Sequence, residues 1–374
     1  MITVDTVLLK LASRCNLDCD YCYIYHMGDD AWRKQPKRIS PTVVEIVAHR
    51  LSELAAAQNC SFSLVFHGGE PLLVGATQFA DICGTLRRKL PASCGLHLQT
   101  NGTLLTEEVL TICARYDVGV SISIDGPAQV HDRHRVSHRG SPSHARIMAA
   151  IKRLRAHPAG SSLFAGVLAV VDLASAPAEV YAFLKSTGAP SIDFLYRDGN
   201  HDTLPIGKAS LLSTEYGDWM GRLLDIYLAD PEPIRVRVLD DMLKLLLGGE
   251  ARKEGVGLNT YGILVIDTDG SVNKNDTLKS AFRAADQFAN EWSVQTHDLR
   301  EIVNSTEFAA YHRSQRPAAP ACLACPNLKV CGGGMPAHRW SRENAFANPS
   351  VFCADQQYLI ALMRQYLMRY NLAA

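Results

Sequence analysis

From residue 6 to residue 196, short apolar runs alternate with amphipathic stretches, and this rhythm restricts the fold more than any other feature of the chain. Apolar runs at 6–12, 62–66, 95–99, 119–124, 164–171 and 191–196 have strand length. Between them lie segments with helical spacing near 41–54, 77–89, 106–116, 143–156 and 177–186. Ser40 before Pro41 supplies an N-cap ahead of a residue suited to the first helical turn. Thr106 before Glu107 and Glu108 does the same, with negative charge where a helix start favours it. Strands that alternate with helices pair in parallel through right-handed crossovers. Six of them predict an α/β fold built on a partial (β/α)6 TIM-like barrel, whose ligands gather beyond the carboxyl ends of the strands.

With 374 residues, the chain has room for a smaller domain beyond such a barrel. Past residue 200 the rhythm changes. Helical segments near 208–229 and 238–248 lead to a hairpin at 261–274 that turns on Asp269-Gly270, and a last amphipathic helix lies near 355–370. Three parts follow: residues 1–200 as the barrel, 201–255 as a helical bridging region and 256–374 as a C-terminal domain. Thirty-eight basic residues balance thirty-eight acidic ones. No overall field draws the chain to nucleic acid or to an anionic membrane. No apolar run approaches the ~20 residues of a membrane span. The first apolar run carries Lys10 and leads to Arg14, unlike an export signal, so the expected compartment is the reducing cytoplasm. Clustered cysteines there are metal ligands, not disulfides.

The eleven cysteines fall into three sets. Cys15, Cys19 and Cys22 follow the first strand as C-x3-C-x2-C. Three soft thiolates on one loop suit three irons of a 4Fe–4S cube and leave the fourth iron open, whereas structural zinc prefers four ligands. Cys322, Cys325, Cys331 and Cys353, spaced C-x2-C-x5-C-x21-C, form a set of four that suits structural zinc as well as a closed cluster. Cys60, Cys83, Cys94 and Cys113 match no ligand spacing and read as small buried apolar side chains.

Polar residues collect at the strand ends. His67-Gly68-Gly69-Glu70-Pro71 follows the second strand, Gln99-Thr100-Asn101-Gly102 the third, and Ser121 to Gly126 lies on the fourth. Paired glycines let backbone pass close to a ligand, and a carboxylate beside them can hold an ammonium; the bland alternative is a tight turn with a solvated Glu. The stretch HDRHRVSHR (131–139) reads by itself as a solvated basic loop. Arg33-Lys34-Gln35-Pro36-Lys37-Arg38 reads the same way, or else as a dock for an acidic peptide.

Taken together, these strings resemble the radical S-adenosylmethionine (SAM) enzymes. The cysteine triad, with the aromatic Tyr21 before its last member, is similar to their cluster loop. Gly68-Gly69-Glu70 is similar to the motif that holds the SAM amine. The resemblance implies a SAM-binding set of Tyr21, Gly68, Gly69, Glu70, Asn101, Ser123 and Arg135, with Ser123 toward the ribose and Arg135, or its neighbour Arg133, toward the carboxylate. The four later cysteines resemble the auxiliary-cluster part of the SPASM extension, which favours 4Fe–4S over zinc there. Ligands for a further auxiliary cluster are missing: residues 250–262 hold no Cys, and Asn275 and Met335 stand at the other two positions. One auxiliary cluster is expected, two clusters in all. Asp276 matches a proposed general base of the sulfatase-maturing branch, with a turn-capping Asp as the alternative.

A narrower resemblance lies in LLKLASRCNLDCDYCYIYHMGDDAWRKQPKRIS, DGSVNKNDTLKS and CGGGMPAHRWSRENAFANPSVFCAD. These strings look like the cyclophane-forming peptide maturases of the FxsB-like group. The implied reaction removes a hydrogen from a side-chain Cβ of a precursor peptide and joins that carbon to an aromatic ring. Implied partners are the peptide, with leader and core, and a reductant such as flavodoxin or ferredoxin; neither nucleic acid nor membrane is implied. Because the first strand opens at residue 6, leader recognition is expected of the barrel, the 200–255 helices or another protein. Oxidation of a Ser or Cys side chain, thioether formation and epimerisation are alternatives within enzymes. Outside them stand a zinc-stabilised binding protein and an electron carrier.

Overall fold

A computed structural model describes residues 2–370; the outermost residues of the first and third predicted parts, 1 and 371–374, lie outside the described residues. Its strands are β1 (Thr6–Ala12), β2 (Ser63–Gly68), β3 (Gly95–Thr100), β4 (Val118–Ser123), β5 (Phe164–Val170), β6 (Ser191–Leu195), β7 (Arg235–Val236), β8 (Ile263–Ile266) and β9 (Val272–Asn273). The chain divides into two compact units. One comprises residues up to Ile124, His131–Gly166 and Tyr261–His312; the other comprises Asp125–Val130, Val167–Thr260 and Arg313 onward.

In the first unit β1 to β4 pair in parallel, in the order of the sequence. β2 and β3 alternate between buried and half-buried residues. Phe66 and Leu98, both fully buried, sit on the helix-covered face. Phe66 meets Phe79 of the helix Ala76–Lys89 edge to face, with centroids 5.4 Å apart. Each side chain so buried stabilises the unit by about 1.5–3 kcal/mol. Ser40 caps the helix Pro41–Gln58 by accepting the Val43 N–H, and Thr106 caps Glu107–Tyr116 through the Val109 N–H. β8 then adds in parallel to the far edge of β1, Thr6 facing Ile263, and β9 returns antiparallel to it. Sequence reasoning anticipates the β8–β9 hairpin but not its pairing with β1.

In the second unit β6 pairs in parallel with β5 from Val167 onward and with β7. The expected helix at 208–229 starts only at Glu215. Side chains hold the preceding loop open: Ser213 Oγ accepts the Ser210 N–H, and Glu215 Oε1 accepts the Ala209 N–H. Such bonds compete with helical ones. The last helix, Cys353–Arg369, packs against Glu215–Ala229 at Gly217, where a Cβ would fall 2.8 Å from Asp355 Cα. Beneath this contact Lys208 Nζ meets Asp355 Oδ2 at 2.6 Å with both side chains fully buried.

Cys83, Cys94 and Cys113 are buried as expected, but Cys60 is exposed, because it lies in the loop just past the helix Pro41–Gln58. Among the described residues no helix is long and apolar enough to cross a membrane.

Candidate functional site

β1 ends at Ala12 and runs directly into the cysteine loop, which bends back through Cys22 N–H to Cys19 O and His26 N–H to Cys22 O. The thiols of Cys15, Cys19 and Cys22 form no disulfide and are half-buried. They lie close enough for Cys19 and Cys22 to act on the charge of Cys15. Burial pushes the Cys15 thiol up to about 12 and raises that of Cys22. Thiols so shielded keep their protons until a cation takes their place. Three sulfur donors therefore fit the open-sited 4Fe–4S group.

Gly68 and Gly69 are required by this loop itself. Gly69 N–H donates to Ala12 O and Glu70 N–H to Arg14 O, both at 2.9 Å. A Cβ on Gly68 would lie 2.2 Å from Ala12 O, and one on Gly69 2.0 Å from the Tyr25 hydroxyl. Glu70, fully buried, reaches β3: its carboxylate accepts from Thr100 Oγ1 at 2.7 Å, Asn101 N–H at 2.8 Å and Leu72 N–H at 3.1 Å. Burial outweighs these bonds and lifts its pKa to about 7. Asn101 Nδ2 in turn donates to Asn16 Oδ1 at 2.9 Å and lies 3.7 Å from Cys15 Sγ. Gln99 donates to Ser123 Oγ at 2.8 Å.

The 131–139 stretch is not a free solvated loop. Asp18 N–H donates to Val136 O and Asp20 N–H to His134 O, and His138 approaches Cys15 O at 2.9 Å. Arg135 is buried, with Nη1 3.9 Å from Cys19 Sγ and its guanidinium over the Tyr21 ring, while Arg133 is exposed. Tyr21, Gly68, Gly69, Glu70, Asn101, Ser123 and Arg135 all lie in the first unit. The basic run is pinned too: Ser13 Oγ donates to Pro36 O, and Arg14 donates to Trp32 O and Arg33 O, leaving Arg33, Lys34, Lys37 and Arg38 exposed.

Asp276 opens a short turn, Asp276–Ser280, but the capping acceptor there is Asn275, whose Oδ1 takes the Thr277 N–H. Asp276 instead lies buried, 2.5 Å from Lys10 Nζ. Burial alone would raise its carboxyl, yet Lys10, Lys279 and His67 hold it below the usual carboxylate range. His67 faces Lys10 in the β1–β2 register. Its Nδ1 is buried without a partner, and desolvation lowers its pKa to about 4. Lys279 pairs with Asp286 at 2.6 Å and with Asp29 at 3.2 Å. A cavity of about 560 Å³ opens beside this cluster, lined among others by Lys10, Gly68, Gly69, Trp32, Phe288 and Trp292. Lys10, His67, Asn16 and Tyr25 escaped sequence reasoning. A lysine within an apolar strand was the one available signal.

The second unit gathers Cys322, Cys325, Cys331 and Cys353. Cys331 senses the charges of the other three, and burial lifts its thiol to about 12. Tight turns bring them in: Cys325 N–H donates to Cys322 O, and Gly332, Gly333 and Gly334 all adopt positive φ. A Cβ at Gly332 would fall 1.8 Å from Gly257 O. Gln357 Nε2 donates to Cys353 Sγ at 3.2 Å. Among the described residues no group of three or more His, Cys, Asp or Glu is drawn closely enough to hold a single metal ion. Met335, at one of the missing ligand positions, packs on Gly255, where a Cβ would lie 2.8 Å from its Cγ.

Residues 9–168 match the Radical SAM superfamily. The cysteine-type anaerobic sulfatase-maturating enzyme of Clostridium novyi is 24% identical over 361 residues, covering 94% of this chain and 93% of that protein. The serine-type enzyme of Bacteroides thetaiotaomicron is 25% identical, covering 88% and 81%. Among solved structures, native anSMEcpe with bound AdoMet superposes with a TM-score of 0.82 at 23% identity over 98% of each chain. Streptococcus suis SuiB bound to precursor peptide SuiA gives 0.58 at 15% identity, over 90% of this chain and 72% of that one.

Proposed function

We propose that this radical SAM enzyme, matched to the superfamily over residues 9–168, acts on a ribosomally made peptide and installs a carbon–carbon crosslink between an aromatic ring and a side-chain Cβ. Cys15, Cys19 and Cys22 would hold the SAM-binding 4Fe–4S cluster, and Cys322, Cys325, Cys331 and Cys353 a single auxiliary one. Tyr21, Gly68, Gly69, Glu70, Asn101, Ser123 and Arg135 would hold SAM. When bound, these groups supply the 5′-deoxyadenosyl radical that takes a hydrogen atom from the peptide. The peptide carbon then bonds to a ring carbon, and the ring gives up one proton and one electron to regain aromaticity; the auxiliary cluster that Cys322, Cys325, Cys331 and Cys353 would hold would serve as the electron acceptor. Anionic Asp276 contacts Lys10, which lines the cavity at Gly68 and Gly69, and Asp276 is the candidate acceptor of that proton.

The observation that carries the crosslink reading is the loss of the further cluster's ligands. Asn275 caps a turn and Met335 packs on Gly255, so both positions have structural duties of their own. The sulfatase-maturing resemblance includes that further cluster. Oxidation of one Cys or Ser side chain is the second reading, favoured by the near full-length likeness to the sulfatase-maturating enzymes.

Anaerobic co-expression with the small peptide encoded beside its gene, followed by tandem mass spectrometry, separates the two. Loss of two hydrogens, with fragmentation suppressed between an aromatic residue and one about two positions on, is the expected outcome. Two hydrogens lost at one Ser or Cys would establish the second reading instead.

A further inference from the structure

Arg339 is among the largest fully buried side chains of the protein, with no exposed surface. Its Nη2 donates to Ser314 O at 3.1 Å and to Gln315 O at 2.7 Å. Its Nε is buried without a partner, and no carboxylate pairs with it among the described residues. A buried cation left without a counter-ion is costly, and folds keep one only where negative charge is supplied. Burial lowers its pKa to about 10, and the charges that oppose this are those of Cys322 and Cys331. The guanidinium stays protonated at neutral pH.

We propose that Arg339 sets the reduction potential of the iron–sulfur group held by Cys322, Cys325, Cys331 and Cys353, donating its Nε–H to a sulfur of that group. This rests on the auxiliary-cluster reading of those cysteines and not on the identity of the peptide product. Reduction adds a negative charge, which a neighbouring fixed cation stabilises. Charge and hydrogen bonds to sulfur are two of the factors that set such potentials. Arg339 is thus a positioning residue for the electron acceptor held by those cysteines.

The test uses the full-length chain, reconstituted anaerobically, with Cys15, Cys19 and Cys22 changed to Ala so that one cluster is read. Potentiometric titration followed by electron paramagnetic resonance is expected to show a more negative midpoint in Arg339→Gln and a midpoint near the parent value in Arg339→Lys. Equal midpoints in the parent and Arg339→Gln, at equal iron content, would overturn the proposal. Should Arg339→Gln fail to hold iron, pulsed resonance on the parent chain labelled with ¹⁵N-arginine decides. Coupling of the reduced cluster to a guanidinium nitrogen is expected, and its absence overturns the hydrogen bond. Neither readout involves a peptide, so a failed cyclisation leaves this inference standing.

Discussion

At position 69 a methyl group would sit 2.0 Å from the Tyr25 hydroxyl and 2.3 Å from Arg14 O, so the cysteine loop can close only over glycine. Gly69→Ala is expected to lose about four irons per chain on reconstitution, one 4Fe–4S group, while the second site keeps its own; iron and sulfide analysis checks this. The glycine pair was legible from the sequence, but its duty differs: it admits the cysteine loop as well as any ligand. His67 gives a prediction in pH. Its pKa falls from 6.5 to about 4 on folding, so the folded chain favours the neutral ring. The stability this lends is present above pH 6.5 and is lost as pH falls toward 4, up to about 3 kcal/mol. Melting temperatures between pH 8 and pH 4 should therefore drop less steeply in His67→Gln than in the parent. A parallel drop would mean that His67 is protonated at no cost. Sequence reasoning missed this residue because an isolated His before a Gly-Gly turn carries no pattern. Its importance comes from Lys10 and Asp276, distant in the chain.

Helix starts are the elements most readable in advance, because an N-cap acts within one turn: Ser40 and Thr106 bond as their spacing implies. The helix expected at 208–229 failed because Ser213 and Glu215 satisfy donors that a longer helix would need. In that same loop Lys208 reaches Asp355 of the last helix with both side chains sealed from solvent. Lys208→Met leaves a buried carboxylate unpaired and should cost about 3–5 kcal/mol. The double change Lys208→Met/Asp355→Leu should recover most of that loss, as measured by denaturant unfolding of the two variants. Equal destabilisation by the single and double changes would show that packing, not charge, matters there. Position 131–139 teaches a related lesson: a basic stretch that reads as solvated is folded down along the cysteine loop by backbone bonds to Asp18 and Asp20.

For the whole molecule, the expected content is about eight irons per chain, two 4Fe–4S groups, falling to about four when Cys15, Cys19 and Cys22 are all Ala. A count near four in the parent would remove one of the two sites. The sequence by itself determined the parallel α/β architecture, since the alternation of strand and helix leaves few other ways to bury both faces of a sheet. It also marked Cys15, Cys19 and Cys22 as one group, because ligand spacing within one short loop is a local property. Only the tertiary structure decided which Arg of the 131–139 stretch turns inward, that β8 pairs beside β1, and that Lys10, His67 and Asp276 form one buried cluster. It likewise decided that Arg339 is buried, with Cys322 and Cys331 as its charge partners among the described residues. Those outcomes depend on burial and on contacts between residues far apart in the chain, and desolvation is a property of a place in the fold, not of a residue type.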